Sequence, residues 1–377
     1  MKNYPFYKDK TDIFRKLKDG ECMQTLEILY ENPPKSRAFL PRKKSITTKK
    51  TILYGPRFSG KSSIVIDHIS NYKKERCLYI DFSDMRVSSK EIGENIQEFI
   101  DKKNIELLVL EHFDNQFKIP KAEEIVLTST KPLNVKEFNS EIIYPLDFEE
   151  FISFERKNLN IENSFNNFAN IGTYPSIVLR TQEEKYRNLQ LLLNAYFFAP
   201  SAIEILQTLS NYQSSKTSIL KIYSHLKQNI KLSKDLLYTQ IDNFLDESLL
   251  FFLEKFDQPK VSKKFYFIDF ALKNALTFQK DFLKKFENII FSELIKKEWK
   301  FFYTEHIDFY VPDKNLAIVS IPFLPAELIK RKFLKIKNEL LALNIKELQI
   351  ISVGNEGGFL QNGINCEIIP FWQWATR

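Results

Sequence analysis

Short apolar runs alternate with amphipathic segments in the first half of the chain, and this pattern predicts alternating strands and helices. Four mostly apolar runs are typical of buried strands: TILY (51–54), CLYIDF (77–82), LLVL (107–110) and EIVLTST (124–130). Between them, KSSIVIDHISNY and KEIGENIQEFIDKK place apolar residues three and four positions apart, as amphipathic helices do. Such alternation indicates an α/β fold with a parallel sheet covered on both faces.

The pattern changes after Pro145. A helical stretch is predicted to run, with breaks, to about residue 230, and a further helix covers residues 234–249. Two strands around a turn at Gln258–Pro259 follow. The order helix, helix, strand, strand predicts a winged-helix domain.

The last hundred residues predict a second α/β segment. Its pattern indicates helices over 286–298 and 330–343, separated by strands over 300–311 and 316–323. A further strand is predicted over 348–354. Four of the nine glycines of the chain lie between Gly354 and Gly363, and we interpret this stretch as a turn region before the closing residues.

A phosphate-binding loop is predicted between the first strand and the first helix of the sheet. GPRFSGKS fits the pattern G-x-x-x-x-G-K-[ST], in which glycines let the backbone approach a phosphate while the lysine reaches the β- and γ-phosphates. The helix that follows directs its positive N-terminal end toward the anion. The residues predicted to bind the nucleotide here are Gly55, Pro56, Arg57, Phe58, Ser59, Gly60, Lys61, Ser62 and Ser63.

The ends of the third and fourth strands supply candidate catalytic groups. We expect Glu111 and the Ser62 hydroxyl to bind Mg²⁺; the alternative for Glu111 is that it only ends the strand. His112 and Asp114 are candidates for positioning the attacking water, and a structural histidine is the alternative for His112. Thr128 and Ser129 end the fourth strand and could sense the γ-phosphate; ordinary strand-end hydroxyls are the alternative.

Composition narrows the functional classes without selecting one. The net charge of +7 is mild for 377 residues and does not by itself predict nucleic-acid binding. The basic run Pro41–Lys50 is interpreted as a solvated linker, with phosphate contact as the alternative. Without a long apolar run, a signal-peptide core or metal-type cysteine spacing, we expect a soluble cytoplasmic protein without a membrane partner.

The order of motifs over residues 50–377 resembles the prokaryotic AAA-type P-loop ATPases that carry a C-terminal winged-helix and nuclease-like domain of unknown function. The segments that carry the resemblance are GPRFSGKSS, LLVLEHFD, IVLTST, YPLDFEEF, GTYPSIVLR, KFYFIDFAL, FENIIFSEL and IIPFW. The resemblance implies ATP and Mg²⁺ as cofactors and a possible oligomer, for which Arg180 is a candidate arginine from a neighbouring copy.

Two departures from this family affect the expected activity. Where the family has Asp-Glu, this chain has Glu111–His112, so we expect weak hydrolysis. Glu293 and Asp308 match the first two acids of the family's nuclease-like part, but AIVSIPF lacks the following Glu-x-Lys strand, so we expect no nuclease activity.

The predicted organisation has four segments. Residues 1–49 form an N-terminal helix and basic linker, 50–185 the P-loop ATPase domain, 186–275 the winged-helix domain and 276–377 a degenerate restriction-nuclease-like domain. The functional hypothesis is a slow ATPase whose nucleotide state repositions the C-terminal domains. The alternative is a DNA-binding or scaffold module in which ATP is structural. The acidic helix over 234–249 favours contact with a protein, or packing against the ATPase core, over contact with DNA. DNA contact stays open for Arg42–Lys50 and for the Lys-rich helix Lys330–Lys337.

Overall fold

The computed structural model describes most of the chain. The described residues are 23–35, 41–113, 115, 117–155, 160–180, 182–196, 200–323 and 326–377. They divide into two compact units, with the division between Ile143 and Tyr144. The finer four-segment division stays a prediction. No helix among the described residues is both long and apolar enough to cross a membrane.

The first unit is built on a five-stranded parallel sheet with the order β2-β3-β4-β1-β5. Its strands are β1 (Lys50–Tyr54), β2 (Cys77–Asp81), β3 (Leu107–Glu111), β4 (Glu124–Ser129) and β5 (Asn139–Ile142). Its helices are α1 (residues 23–31), α2 (Lys61–Ile69) and α3 (Ser89–Lys103). The predicted α/β fold with a P-loop NTPase type of parallel sheet is confirmed.

Local sequence explains why these elements begin and end where they do. Ser88 caps the N-terminus of α3 by accepting a hydrogen bond from the backbone of Glu91, and Asn104 ends the helix in a left-handed conformation. Every residue of β3 and β4 is buried, as expected of central parallel strands. The carboxyl ends of all five strands therefore meet at one edge, where ligands bind in open α/β sheets.

The second unit begins with helices. These are α4 (Phe148–Phe154), α5 (Ile161–Ile171), α6 (Pro175–Val178), α7 (Gln182–Tyr196) and α8 (Pro200–Ser210). A three-stranded antiparallel sheet with the order β6-β8-β7 follows. Its strands are β6 (Lys216–Thr217), β7 (Leu250–Leu253) and β8 (Lys263–Phe267). Two helices, α9 (Ile219–Leu226) and α10 (Lys234–Asp246), lie between β6 and β7 along the chain.

A second five-stranded sheet, of mixed direction, closes the unit with the order β12-β13-β11-β10-β9. Its strands are β9 (Phe309–Val311), β10 (Leu316–Ser320), β11 (Glu347–Ser352), β12 (Gly357–Gln361) and β13 (Ile364–Pro370). The accompanying helices are α11 (Leu272–Leu276), α12 (Phe282–Leu294), α13 (Ala326–Ala342) and α14 (Phe371–Ala375). One buried cluster contains Phe165, Phe244, Phe265, Ile318 and Phe371, so helices and both sheets of this unit share a core.

The structure corrects several predictions of local structure. The glycine-rich tail is not only a turn region, because residues 357–370 form the β12–β13 hairpin. The predicted single strand over 300–311 is interrupted by a bend at residues 305–306, and only Phe309–Val311 forms β9. Strand β5, with the polar sequence NSEI, was not anticipated from the apolar pattern. Of the N-terminal helix predicted within residues 1–49, residues 23–31 are described and helical.

A buried carboxylate joins two distant segments of the second unit. Asp269 is fully buried and accepts hydrogen bonds from the backbone N–H of Thr173 (2.7 Å), Tyr174 (3.2 Å) and Ala271 (2.7 Å), and from the Thr173 hydroxyl (3.0 Å). Gly172 lies against it at φ +88°, and an added Cβ would be 2.3 Å from Asp269 Oδ1. The motifs GTYP and IDFA therefore meet at this side chain.

We expect Asp269→Asn to destabilise the second unit by about 1–3 kcal/mol. The asparagine side chain has one acceptor oxygen, whereas the aspartate carboxylate has two, so at least one buried donor loses its acceptor. A buried donor left unsatisfied costs about 1–3 kcal/mol. Denaturant unfolding measures the effect, with the exposed Asp242→Asn as the matched control. Wild-type stability in Asp269→Asn would contradict this role.

Candidate nucleotide-binding site

The backbone between β1 and α2 adopts the conformation that only its glycines allow. Gly55 has φ +133°, and an added Cβ would lie 2.6 Å from the carbonyl oxygen of Ile143. Gly60 is the N-cap of α2 in a left-handed conformation at φ +97°. Its carbonyl accepts from the N–H groups of Ser63 and Ile64, so α2 begins directly after the loop. The two invariant positions of the motif thus have a backbone reason to be glycine.

Two cationic side chains contact the loop carbonyls. The Lys61 ammonium donates to the carbonyl oxygens of Gly55 (2.9 Å) and Pro56 (2.7 Å). Arg42 Nη1 donates to the carbonyl oxygen of Ser59 at 2.6 Å. The interpretation of Arg42 as part of a solvated linker is therefore wrong. The basic run was visible in the sequence, but its contact with the loop was not.

The remaining loop side chains differ in exposure. Arg57, Phe58, Ser62 and Ser63 are exposed, whereas Ser59 is buried. The Ser59 hydroxyl has no hydrogen-bond partner within the described part of the chain. A buried hydroxyl without a partner costs free energy unless a ligand or water satisfies it.

Glu111 ends β3 as a buried carboxylate at the carboxyl edge of the sheet. It is 2% exposed, and its Oε2 accepts a hydrogen bond from the Tyr79 hydroxyl of the neighbouring strand. Burial and the adjacent Glu111 charge raise the pKa of Tyr79, so the phenol stays protonated and donates. Glu111 Oε1 has no partner among the described residues. The free carboxylate oxygen is thus available to a ligand at this edge.

His112 is turned toward the neighbouring strand β2. Its backbone has φ +51° and its N–H donates to the Thr128 hydroxyl at 3.1 Å. Its ring Nδ1 lies 2.7 Å from Oδ1 of Asp81, the residue paired with Glu111 across β2 and β3. Burial favours a higher pKa for Asp81, but hydrogen bonds from His112 and Ser83 outweigh it and lower the pKa of this carboxyl.

Sequence reasoning missed Tyr79 and Asp81. Both belong to the predicted strand CLYIDF, but only the pairing of Asp81 with Glu111 in β3 gives them a place at the site. An acidic residue at the end of a predicted parallel strand was the available signal, because such ends gather at one edge.

The two strand-end hydroxyls on β4 already have partners. Thr128 accepts from His112, as described, and Ser129 Oγ accepts from the backbone N–H of Lys131 at 3.2 Å. In the sheet they lie opposite Leu53 and Tyr54 of β1, directly before the phosphate loop. A role in sensing phosphate stays a prediction for both.

The other predicted residues belong to the second unit or lie outside the description. Asp114 lies outside the described residues. Arg180 is exposed just after α6 in the second unit. Glu293 is buried and paired with Lys296 at 3.3 Å, while Asp308 pairs with Lys264 at 2.8 Å. Within the described ranges, Asp81, Glu111 and His112 form the cluster of potential metal ligands, and neither of these two acids belongs to it.

The comparisons with known proteins give distant similarities. No protein-family model matches the chain. It is 26% identical over 396 residues to the uncharacterized protein MJ1544 of Methanocaldococcus jannaschii, covering 88% of this chain and 89% of that protein. The Walker-type ATPase PABY2304 of Pyrococcus abyssi aligns with a TM-score of 0.45 and 12% identity, covering 66% of this chain and 99% of that chain.

A second solved structure is the Orc1 protein of Aeropyrum pernix in complex with DNA. It aligns with a TM-score of 0.31 and 10% identity, covering 70% of this chain and 91% of that chain. At these identities and TM-scores, function has to be inferred from the residues of the chain itself.

We expect Gly55→Ala to destabilise the first unit by about 1–3 kcal/mol, because the added Cβ meets a backbone oxygen and a non-glycine residue is strained at this φ. Gly93→Ala in α3 is the matched control, since its Cβ would contact Phe117 at an ordinary 3.5 Å. Alanine should stabilise that helix by about 0.5–1 kcal/mol. Denaturant titration of both variants tests this pair, and equal stabilities would contradict the loop conformation.

Proposed function

We propose that the protein binds ATP with Mg²⁺ at the carboxyl edge of the first sheet and hydrolyses it slowly, as an AAA-type P-loop protein. The observation that carries this proposal is the loop from Gly55 to Gly60, with both glycines at positive φ and the Lys61 ammonium against its carbonyls. A helix N-terminus follows the loop directly, which favours an anion there.

Three features support a fit between these residues and Mg·ATP. The close approach of Gly55 to Ile143 leaves no room for a side chain, as a loop wrapped around a phosphate requires. Ser59 Oγ and Glu111 Oε1 are buried without hydrogen-bond partners in the described structure. Both the loop and the strand end therefore carry a polar atom that a bound ligand could satisfy. The Ser62 hydroxyl is exposed at the first turn of α2.

Each residue then has a defined role. With nucleotide bound, Lys61 would hold the β- and γ-phosphates in place of the loop carbonyls, and the Ser62 hydroxyl would hold the cation. Glu111, which accepts a hydrogen bond from the Tyr79 hydroxyl, would supply the carboxylate on the side of the cation. Arg42 holds the loop through Ser59. When bound, Mg·ATP supplies the electrophilic γ-phosphoryl group.

Slow turnover follows from the groups around the phosphate site. A general base contributes about 10²–10⁴-fold and must be free to accept the proton. The His112 ring is hydrogen-bonded to Asp81 on β2, which lies on the side of β3 away from β1 and its phosphate loop, so the ring faces away from the proposed phosphate site. Glu111 is assigned to the cation and accepts a hydrogen bond from Tyr79. Bound ATP would therefore persist far longer than a fast ATPase allows.

We further propose that β6–β8 with α8–α10 form a winged-helix module whose α10 contacts protein. Its strand order and helix positions support this assignment. Acidic Asp235 and Asp242 are exposed on α10, whereas phosphate contact favours basic residues. Nucleotide-dependent placement of this module, or a second copy of the chain as partner, belongs to the same proposal.

The mixed C-terminal sheet is proposed to be nuclease-like but inactive. Lys264 contacts both Glu287 and Asp308 at 2.8 Å, and the backbone N–H of Ser320 donates to the other oxygen of Asp308. Burial, opposed by Lys264, raises the pKa of Glu287 to about 7. The Asp308 oxygens are thus engaged within the protein, and strand β10 offers no carboxylate.

The first test is ATP affinity. Lys61→Ala should weaken Mg·ATP binding by at least about 100-fold, because losing a charged partner of a buried phosphate costs about 2–5 kcal/mol. Isothermal titration measures both proteins, with the exposed Lys102→Ala as the matched control. Equal affinity in wild type and Lys61→Ala would remove the phosphate-loop assignment.

The second test is single-turnover hydrolysis with Mg²⁺. We expect wild-type rates on the order of 10⁻⁴ to 10⁻² s⁻¹, as in P-loop proteins without an activator. His112→Ala should change this rate by less than about threefold, because the ring does not act as the base. A complete absence of product would favour the alternative in which ATP is structural. A fast wild-type rate that disappears in His112→Ala would show that His112 is catalytic.

A further inference from the structure

We propose that Asp81, Glu111 and His112 form a binding site for a divalent transition-metal ion. Each residue contributes one ligand atom, and these atoms all lie within 4.8 Å of one another. Asp81 and Glu111 are paired at the ends of β2 and β3, and His112 follows Glu111 in a left-handed turn that brings its ring back toward β2. The backbone therefore brings the three ligand atoms close together.

The second observation is the unpartnered oxygen of Glu111. This side chain is 98% buried, since it is 2% exposed, and its Oε1 lacks any hydrogen-bond partner among the described residues. Leaving a carboxylate oxygen buried and unsatisfied costs free energy that a cation at this point would recover. The cluster therefore includes a donor whose bonding is incomplete in the protein alone.

The spacing of the donors suits a small ion after a minor adjustment. Ligands held at about 2.0–2.2 Å from an ion lie roughly 3–4 Å apart. His112 Nδ1 and Asp81 Oδ1, at 2.7 Å, need to separate slightly, and the Glu111 donor lies within 4.8 Å of both other donors. The ion would take the place of the hydrogen between Nδ1 and Oδ1.

The surrounding groups hold the ligands in orientation. Tyr79 donates to Glu111 Oε2. The backbone N–H and hydroxyl of Ser83 donate to Asp81 Oδ1 at 2.8 and 2.7 Å. Hydrogen bonds of this kind to ligating carboxylates fix their geometry and support metal affinity.

The chemistry of the donors selects the class of ion. Mg²⁺ prefers oxygen ligands and keeps much of its water, whereas imidazole suits Zn²⁺, Fe²⁺, Ni²⁺ and Cu²⁺ among divalent ions, and Co²⁺ serves as a spectroscopic probe for this class. Three protein ligands leave positions for water or for a ligand oxygen. Glu111 also belongs to the proposed nucleotide site, but Asp81 and His112 do not need nucleotide in order to bind the ion.

The test is Co²⁺ binding to the full chain without nucleotide, measured by visible absorbance and by equilibrium dialysis. We expect one ion per chain, a spectrum with a nitrogen ligand, and at least tenfold weaker competition by Mg²⁺ than by Zn²⁺. His112→Asn should weaken Co²⁺ binding at least tenfold while tolerating the left-handed backbone. Asp81→Asn should do the same, so the result does not rest on one variant.

Two controls separate this site from others. His306 is an exposed histidine bonded to Glu339 at 3.1 Å, so His306→Asn should leave Co²⁺ affinity unchanged. Lys61→Ala should also retain Co²⁺ binding, even if this variant no longer binds ATP. A failure of the metal site can therefore be distinguished from a failure of the nucleotide proposal. Absence of binding in wild type, undiminished binding in both site variants, or equal competition by Mg²⁺ and Zn²⁺ would overturn the proposal.

Discussion

The parallel register of the first sheet is the constraint on which the candidate site depends. Asp81 pairs with Glu111 at the ends of β2 and β3, and Tyr54 pairs with Ser129 at the ends of β1 and β4. These four strands therefore end side by side at the carboxyl edge of the sheet. The phosphate loop leaves β1 at that edge as well. Because side chains alternate between faces of a strand, a shift of one residue would move each of these groups to the opposite face. The chemistry of the edge is therefore a consequence of strand pairing in the core.

The same edge is costly for the stability of the free protein. One carboxylate oxygen of Glu111 and the hydroxyl of Ser59 are both buried without a hydrogen-bond partner among the described residues. Asp269 in the second unit, by contrast, is a buried carboxylate that accepts four hydrogen bonds. This contrast between a satisfied structural carboxylate and an incompletely satisfied one supports a ligand-binding role at the sheet edge, because binding sites tend to retain such costs.

The sequence predicted those features that are encoded locally. The phosphate loop, the four apolar strands and α3 follow from glycine positions, apolar runs and helical spacing. The sequence did not predict the positions of Tyr79, Asp81 and Arg42 at the site, because these positions depend on contacts with residues distant in the sequence. Strand β5 was missed because its polar sequence gives no apolar signal, and its place in the sheet comes from pairing with β1. Glycines in β12 suggested turns, although pairing with β13 keeps that segment extended.

The central claim, that this edge binds a nucleotide through the phosphate loop, is tested most directly by a crystal structure of the protein grown with a non-hydrolysable ATP analogue and Mn²⁺. The account predicts that the β- and γ-phosphates lie within the loop from Gly55 to Gly60. It also predicts that the Lys61 ammonium has left the carbonyl oxygens of Gly55 and Pro56 for the phosphates, with anomalous density for Mn²⁺ near Glu111. Nucleotide bound elsewhere, with Lys61 still on those carbonyls, would contradict it.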